Sequence, residues 1–133
     1  FKDIFIKVIL GLGHGFKNEL YSYIRQLEKR GFRLEIRNDI KFISKYISNA
    51  DIVITSNGRT VYEIASLGVP CISISQNKRE TKHLFSHNSL GIKDLGLADN
   101  VSENDIAFTI KKIVKDYHLR QRQSTLYHLK TQI

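Results

Sequence analysis

The sequence predicts an α/β fold, a Rossmann-like parallel sheet of about four to five strands with helices on both faces. Short apolar runs alternate along the chain with segments whose apolar residues recur at helical spacing. Strands that alternate with helices require crossover connections, which favour parallel pairing. The length of 133 residues is typical of one domain. We therefore expect residues 1–133 to form a single domain.

In the first half of the chain, apolar runs and helical spacing predict five elements. Residues 4–10, IFIKVIL, form a nearly continuous apolar run that is typical of a buried strand. Residues 18–29 carry apolar side chains on one helical face, and Gly31 stands where a glycine commonly ends a helix. The pattern continues with a strand at 32–36, a short helix at 40–47 and a strand at 51–55.

In the second half, the same alternation predicts four helices and two strands. Helical spacing from residue 60 to 67 ends before Gly68 and Pro70, and the run CISI at 71–74 predicts a fourth strand. The remaining predictions are a helix at 79–87, a short edge strand at 91–95, a long helix at 103–117 and a last helix at about 119–130.

The net charge and the apolar runs of the sequence indicate which partners and which cellular location to expect for this protein. The formal net charge is +8, and much of it lies in residues 111–130. Solvent, a phosphate-rich ligand, an anionic membrane surface or an acidic partner domain are the alternatives that satisfy this charge. No nucleic acid is expected, because basic and aromatic residues are not interleaved in a recognised motif. No apolar run approaches about 18 residues, so we expect a cytoplasmic protein, with membrane association as one alternative.

Four polar loops follow predicted strands, at residues 11–18, 37–41, 56–60 and 75–80. In parallel sheets the loops beyond the carboxyl ends of the strands lie at one edge and bind ligands. In the loop SNGRT, Gly58 leaves room for a phosphate to approach the backbone amides at the start of the next helix. Short donors from Ser56, Asn57 and Thr60 and the guanidinium of Arg59 suit phosphate oxygens.

Two interpretations of the residues after Gly58 stay open. Thr60 and Glu63 match a capping box, in which the Glu63 carboxylate accepts from the Thr60 amide and nothing is bound. Alternatively, Glu63 accepts from the two hydroxyls of a ribose.

The other polar residues carry weaker signals. In the loop SQNKRE, amide and carboxylate side chains suit a sugar with several hydroxyls. The turn GLGHG lacks the third glycine of a dinucleotide fingerprint. We interpret His14 as a surface residue. His83 and His87 have the spacing of two zinc ligands on one helical face, but the glutamate of the zinc protease motif is missing, so we assign no metal site. Cys71 lies in an apolar run and reads as a buried core residue.

The segment from Ala50 to Glu80 resembles the C-terminal nucleotide-sugar-binding half of GT-B glycosyltransferases. More narrowly, it is similar to the group of the pseudaminic acid pathway UDP-sugar hydrolase and spore-coat polysaccharide glycosyltransferase-like proteins. The pattern G-x-T-x-x-E-x-x-x-x-G-x-P follows an A-D dipeptide and an apolar run ending in Ile-Thr. The residues that match are Ala50, Asp51, Ile54, Thr55, Gly58, Thr60, Glu63, Gly68 and Pro70.

The resemblance implies a nucleotide-sugar ligand, UDP- or CDP/CMP-linked, and no further cofactor. It places the loop matching Asn57 to Thr60 by the phosphates, Glu63 at the ribose and the main chain near Ile40 at the base. The loop from Gln76 to Thr81, with Asn77 and Glu80, faces the sugar. The implied function is donor binding in a glycosyltransferase or UDP-sugar hydrolase of surface polysaccharide or glycoconjugate biosynthesis.

The chain also departs from the family it resembles. The relatives' half begins with a strand and a glycine-rich G-G-x-D-P loop, and an N-terminal Rossmann domain precedes it; the sequence matches neither. We therefore expect a C-terminal fragment of a longer protein, inactive alone, and assign no catalytic residue. The alternatives are a non-enzymatic Rossmann-like interaction or regulatory module and, less favoured by the residues, a nucleic-acid-binding domain.

Overall fold

The computed structural model describes residues 4–11, 15, 17–38, 40–83 and 92–115. The chain divides into two compact units, Phe1–Ile43 and Ser44–Ile133. Among the residues described, five parallel strands lie in two sheets, one of two strands in the first unit and one of three strands in the second. Helices separate most consecutive strands, so the predicted α/β fold with parallel strands is confirmed.

The first unit is a strand–helix–strand motif. Strand β1 (Phe5–Leu10) pairs in parallel with β2 (Arg33–Asn38), and helix α1 (Lys17–Lys29) connects them. The apolar face of α1 buries Ile24, and Leu10 is buried at the end of β1. Gly31 has a φ of +93°, and its amide bonds the Glu28 carbonyl just beyond the helix. A glycine ends α1 as predicted, because this backbone conformation is costly for other residues.

The second unit contains the three-stranded sheet in the order β3-β4-β5. Its strands are β3 (Val53–Ser56), β4 (Cys71–Ser75) and β5 (Lys93–Leu97), and its α-helices are α2 (Ser44–Ser48), α3 (Thr60–Ser66) and α4 (Glu103–Lys115). Short 3₁₀ turns cover Glu80–Lys82 and Ala98–Asn100. The central strand β4 is the most buried, and the buried residues of this unit also include Ile64 of α3 and Ile113 of α4.

Several predicted boundaries shift. The helix expected at 40–47 covers Ser44–Ser48, and the edge strand expected at 91–95 covers Lys93–Leu97. The long helix is described up to Lys115, and the predicted helix at 119–130 lies outside the described residues. Helix α4 starts at a reciprocal pair: the Ser102 amide donates to Asp105 Oδ2 at 2.9 Å, and the Asp105 amide donates to Ser102 Oγ at 3.1 Å. This pair stabilises the first turn of α4.

The predicted helix at 79–87 is wrong in its described part. Only a 3₁₀ turn, Glu80–Lys82, is present, and His83 is extended. The Glu80 carbonyl accepts from the His83 amide at 3.0 Å and from Asn57 Nδ2 at 2.8 Å. Because an α-helix would use that carbonyl for the amide four residues on, the Asn57 side chain competes with helical continuation.

Candidate functional site

Two of the predicted loops lie side by side in the second unit. Strands β3 and β4 are parallel neighbours, and Ser56 pairs with Ile74 at the ends of both strands. The loops that begin at Asn57 and Gln76 therefore leave the same edge of the sheet. This is the edge at which parallel α/β sheets bind ligands.

The Asn57 side chain links the two loops. Asn57 is 1% exposed. Its Nδ2 donates to the Glu80 carbonyl at 2.8 Å, with longer contacts of 3.4 Å to the His83 carbonyl and to Ser75 Oγ. In return, His83 Nδ1 lies 2.7 Å from the Asn57 carbonyl oxygen. Because a carbonyl only accepts, His83 Nδ1 carries the proton and donates.

We name this arrangement the cross-loop clamp, made of Asn57, Ser75, Glu80 and His83. Polar groups buried in this way are costly to leave without partners, so the clamp fixes the loop spacing. The predicted ligand role of Asn57 stays a prediction, and the structure gives its side-chain amide a structural role. Sequence reasoning missed Ser75 and His83. The only signal for His83 was its spacing to His87, which lies outside the described residues.

The Glu80 carboxylate lies against the turn at Gly58. Glu80 Oε2 accepts from the Gln76 amide at 2.8 Å, and the Glu80 amide donates to Asn77 Oδ1 at 3.0 Å. A Cβ atom built on Gly58 would lie 3.9 Å from Glu80 Oε1 and 3.7 Å from Ser56 Oγ. A fixed carboxylate at this position can accept hydrogen bonds from hydroxyl groups, whereas it disfavours phosphate oxygens on its own side of the turn.

The capping-box interpretation of Thr60 and Glu63 is wrong. Helix α3 has Arg59 as its cap residue in helical conformation, and that cap makes no side-chain hydrogen bond. Thr60 is already in the first turn, because the Val61 and Tyr62 amides bond the carbonyls of Gly58 and Arg59. In a capping box the threonine would be the residue just before the helix. Here helical conformation already begins at Arg59, one residue before Thr60.

The remaining predicted site residues are distributed as follows. Arg59 is exposed, and Ser56, Thr60 and Glu63 are half-buried. Thr81 Oγ1 donates to the Lys78 carbonyl at 2.5 Å in the neighbouring loop. Ile40 is half-buried in the first unit, after β2. The glycine-rich turn is described only at Gly11 and Gly15, and His14 lies outside the described residues.

Cys71 at the start of β4 is part of the core rather than of the site. Its side chain is fully buried, and burial raises the pKa of the thiol to about 12. A thiol with so high a pKa is not a nucleophile near neutral pH, so the predicted core role is confirmed.

Within residues 4–83 and 92–115, with the gaps given above, no group of three or more His, Cys, Asp or Glu could hold a metal ion. No helix in this same part is long and apolar enough to cross a bilayer.

Comparisons with known proteins agree with the sequence pattern and the fold. The family model "Glycosyltransferase family 28 C-terminal domain" matches residues 2–132. The chain is 30% identical over 99 residues to the spore coat polysaccharide biosynthesis protein SpsG of Bacillus subtilis, an alignment that covers 72% of the chain and 28% of that protein. It is 29% identical over 77 residues to the uncharacterized protein MJ1062 of Methanocaldococcus jannaschii, covering 58% of the chain and 16% of that protein.

The chain thus spans less than a third of the length of either relative. The family match covers nearly all of its residues, and the parallel strands and separating helices agree with a Rossmann-like GT-B C-terminal domain. The chain belongs to the glycosyltransferase family 28 C-terminal domain family.

Proposed function

We propose that the loops at residues 56–60 and 76–81 bind the nucleotide-diphosphosugar donor of a glycosyltransferase or UDP-sugar hydrolase. The cross-loop clamp is the observation that carries this proposal. It holds two predicted ligand loops together through the buried Asn57 side chain. Binding energy is then not spent on bringing the loops together, which is the advantage of a pre-formed site.

The charges in the second unit suggest a division of roles. Arg59 is an exposed cation next to Gly58 and suits the diphosphate. The Glu80 carboxylate lies on the side of Gly58 where a Cβ atom would stand and suits sugar hydroxyls, with Gln76, Asn77 and Thr81 in the same loop. Since Glu63 has no capping role, ribose binding is the remaining role that we assign to it. The predicted contact of Ile40 with the base stays a prediction.

Family membership and the SpsG similarity support a role in surface polysaccharide or glycoconjugate synthesis. We propose that an N-terminal Rossmann domain of the same polypeptide supplies the acceptor site and the catalytic groups. The chain of 133 residues should then bind the nucleotide weakly and show no turnover. The identity of the base, uracil or cytosine, is decided by comparing the two nucleotides in the binding experiment.

Gly58→Ala tests the proposal directly. Gly58 lies outside the positive-φ glycines, and its nearest neighbours leave ordinary contact distances for a methyl group. We expect a free energy of unfolding within about 1 kcal/mol of wild type. Affinity for a UDP-linked sugar should fall at least tenfold, about 1.4 kcal/mol, because the methyl group would occupy the Glu80 side of the turn, where the sugar hydroxyls are proposed to bind.

Binding is measured by ¹⁵N NMR titration with UDP, with CDP and with a UDP-linked sugar. The matched control is Gly11→Ala, a glycine of the first unit at which an added Cβ would meet nothing within 4 Å. Wild type should show shifts at residues 56–63 and 76–81, and the control should bind like wild type. Absence of shifts in both loops at millimolar nucleotide, or an unchanged affinity in Gly58→Ala, would contradict the proposal.

Glu63→Ala separates donor binding from the non-enzymatic alternative. Without a capping hydrogen bond to lose, the variant should unfold at nearly the wild-type urea concentration. If Glu63 binds ribose, affinity for UDP falls while affinity for inorganic diphosphate is unchanged. Equal nucleotide affinity in wild type and variant would favour an interaction module that retains the fold.

Association with an anionic membrane is a second candidate, and one face of α4 favours it. Phe108 is 69% exposed, and Lys112 and Lys115 are exposed one and two turns further along the same side. An exposed aromatic ring flanked by lysines suits the surface of an anionic bilayer. The double variant Lys112→Gln/Lys115→Gln should reduce co-sedimentation with phosphatidylserine vesicles. The control Lys29→Gln/Lys45→Gln removes the same charge elsewhere, and an equal loss there would contradict a specific surface.

A further inference from the structure

We propose that Asn57 is a site of deamidation, and that the cross-loop clamp sets how fast the reaction runs. The chain joins Asn57 directly to Gly58, and no other asparagine in the sequence is followed by glycine. Asparagine is a chemically labile residue, and a following glycine leaves its side chain open to attack because glycine adds no side chain of its own. The proposal concerns the covalent stability of the loop at 56–60 and needs no bound ligand.

The reaction consumes one water molecule and releases one ammonia molecule. The Gly58 backbone nitrogen attacks Cγ of Asn57, the bond from Cγ to Nδ2 breaks, and Nδ2 leaves as ammonia with the proton of the Gly58 amide. The product is a cyclic succinimide. Water then opens this ring at either carbonyl and gives aspartate or isoaspartate, in which the main chain runs through Cβ and Cγ. No electrons are gained or lost, so no oxidant or reductant is required.

The two reacting groups differ in how the fold restrains them. Among the residues that the structure describes, none accepts a hydrogen bond from the Gly58 amide, so the fold does not hold this nitrogen back. The Asn57 side chain, in contrast, is 1% exposed. Its Nδ2, the leaving group, donates to the Glu80 carbonyl at 2.8 Å and lies 3.4 Å from Ser75 Oγ. Release of Nδ2 therefore breaks buried hydrogen bonds, which is costly without replacement partners.

His83 restrains the main chain of the same residue. Its Nδ1 donates to the Asn57 carbonyl oxygen at 2.7 Å. The clamp thus holds both the side chain and the backbone of Asn57, whereas ring closure must bring Cγ from a non-bonded distance to a bond length from the Gly58 nitrogen. The reaction therefore runs from a state in which the clamp is open. Its observed rate is the rate of the unrestrained pair multiplied by the fraction of molecules in that state.

Deamidation would make the opening permanent. An ionised aspartate at position 57 only accepts hydrogen bonds, and it would face the carbonyls of Glu80 and His83. Isoaspartate adds an extra carbon atom to the main chain before Gly58, which shifts the loop against its partners. A reaction at Asn57 therefore separates the two loops irreversibly. The loss of donor binding in the product rests on the proposed function, whereas the reaction and its control by the clamp do not.

Mass spectrometry tests the proposal on protein without nucleotide. The wild-type protein is aged at mildly alkaline pH, once folded and once unfolded in guanidinium chloride, and the peptide that contains residue 57 is analysed for aspartate and isoaspartate. We expect the folded protein to react at least ~10-fold more slowly than the unfolded protein, because the clamp must open first. In the unfolded protein, Gly58→Ala should slow the reaction, because the added methyl group hinders the attacking nitrogen.

Two variants locate the control. His83→Ala removes one bond of the clamp, and its folded rate should rise about fivefold, the equivalent of one typical hydrogen bond. Asp105→Asn is the matched control, because it weakens a hydrogen bond to a backbone amide in another element of the second unit. Its folded rate should equal that of wild type. Circular dichroism establishes that each variant is folded, and the comparison of folded with unfolded wild type stands without them.

The following results would overturn the proposal. Equal rates in folded and unfolded wild type would mean that the clamp gives no protection. Equal folded rates in His83→Ala and wild type, or an equal rise in Asp105→Asn, would assign the rate to something other than the clamp. Absence of reaction in the unfolded protein would mean that the pair is not labile. A failure of nucleotide binding changes none of these results, so the two proposals are separable.

Discussion

Replacing Asn57 with alanine should destabilise the second unit by about 2–3 kcal/mol. The variant loses one well-formed hydrogen bond, from Nδ2 to the Glu80 carbonyl at 2.8 Å, and two weaker contacts at 3.4 Å. A typical hydrogen bond contributes about 1 kcal/mol, and carbonyls left without their buried donor cost about 1–3 kcal/mol. Asn57 is buried, so water does not replace the lost donor without rearrangement.

Urea unfolding followed by circular dichroism measures the change. For an m value of about 2 kcal/mol/M, the midpoint should fall by about 1 M or slightly more. Asn49→Ala is the matched control, because Asn49 is exposed after α2 and should change stability by less than about 0.5 kcal/mol. Equal midpoints for the Asn57 and Asn49 variants would refute a stabilising role of the clamp.

Asn57→Asp tests the donor itself with almost no change in shape. An ionised carboxylate does not donate, and it would face the carbonyls of Glu80 and His83. The variant should therefore be less stable than Asn57→Ala at pH 7. Burial raises the pKa of a carboxyl group, so protonation on acidification restores a donor and the deficit shrinks as pH falls. A deficit that is independent of pH would refute the donor argument.

Two further predictions concern the core and the start of α4. The Cys71 thiol, buried and with a pKa of about 12, should resist Ellman's reagent in the folded chain and react fully in urea; rapid reaction without urea would contradict the burial. Hydrogen bonds from the Ser102 backbone and, to a lesser extent, from the Ser102 side chain lower the pKa of Asp105 below its ordinary value of 3.8. The ionised carboxylate therefore stabilises the folded state above that pH. Asp105→Asn should lower the free energy of unfolding at pH 7, and the difference should vanish as pH falls through the lowered pKa; a constant difference in an acid titration would contradict this.

The sequence predicted the alternation of elements because the chain has clear periodicity. The apolar run before residue 56 and the helical spacing after residue 60 lie where the structure has β3 and α3. Gly31 ends α1 for a local reason, its positive φ, which the residue type alone indicates. The placement of the loops at 56–60 and 75–80 side by side follows from parallel pairing, which the sequence pattern also implies.

The failed predictions involve contacts between residues distant in sequence. The helix expected at 79–87 is replaced by a 3₁₀ turn because a side chain from residue 57 bonds the Glu80 carbonyl. Periodicity in a local window contains no information about that contact. The capping box at Thr60 failed because the helical conformation begins one residue earlier, and sequence patterns locate boundaries only to within a few residues. The division into two sheets was also absent from the pattern, since strand order depends on which strands meet.

The cross-loop clamp has a consequence for how the two loops can change over evolutionary time. Asn57 belongs to one loop, and its partners Glu80 and His83 belong to the other. Substitutions in the two loops should therefore be non-additive, because residues in one hydrogen-bond network are energetically coupled. Grafting residues 76–83 of a relative alone would keep the acceptors of Asn57 only if the grafted backbone places its carbonyls where those of residues 80 and 83 lie, and the ring of His83 would have to be retained. If the proposed function holds, an exchange of donor specificity between homologues should succeed best when both loops are transferred together.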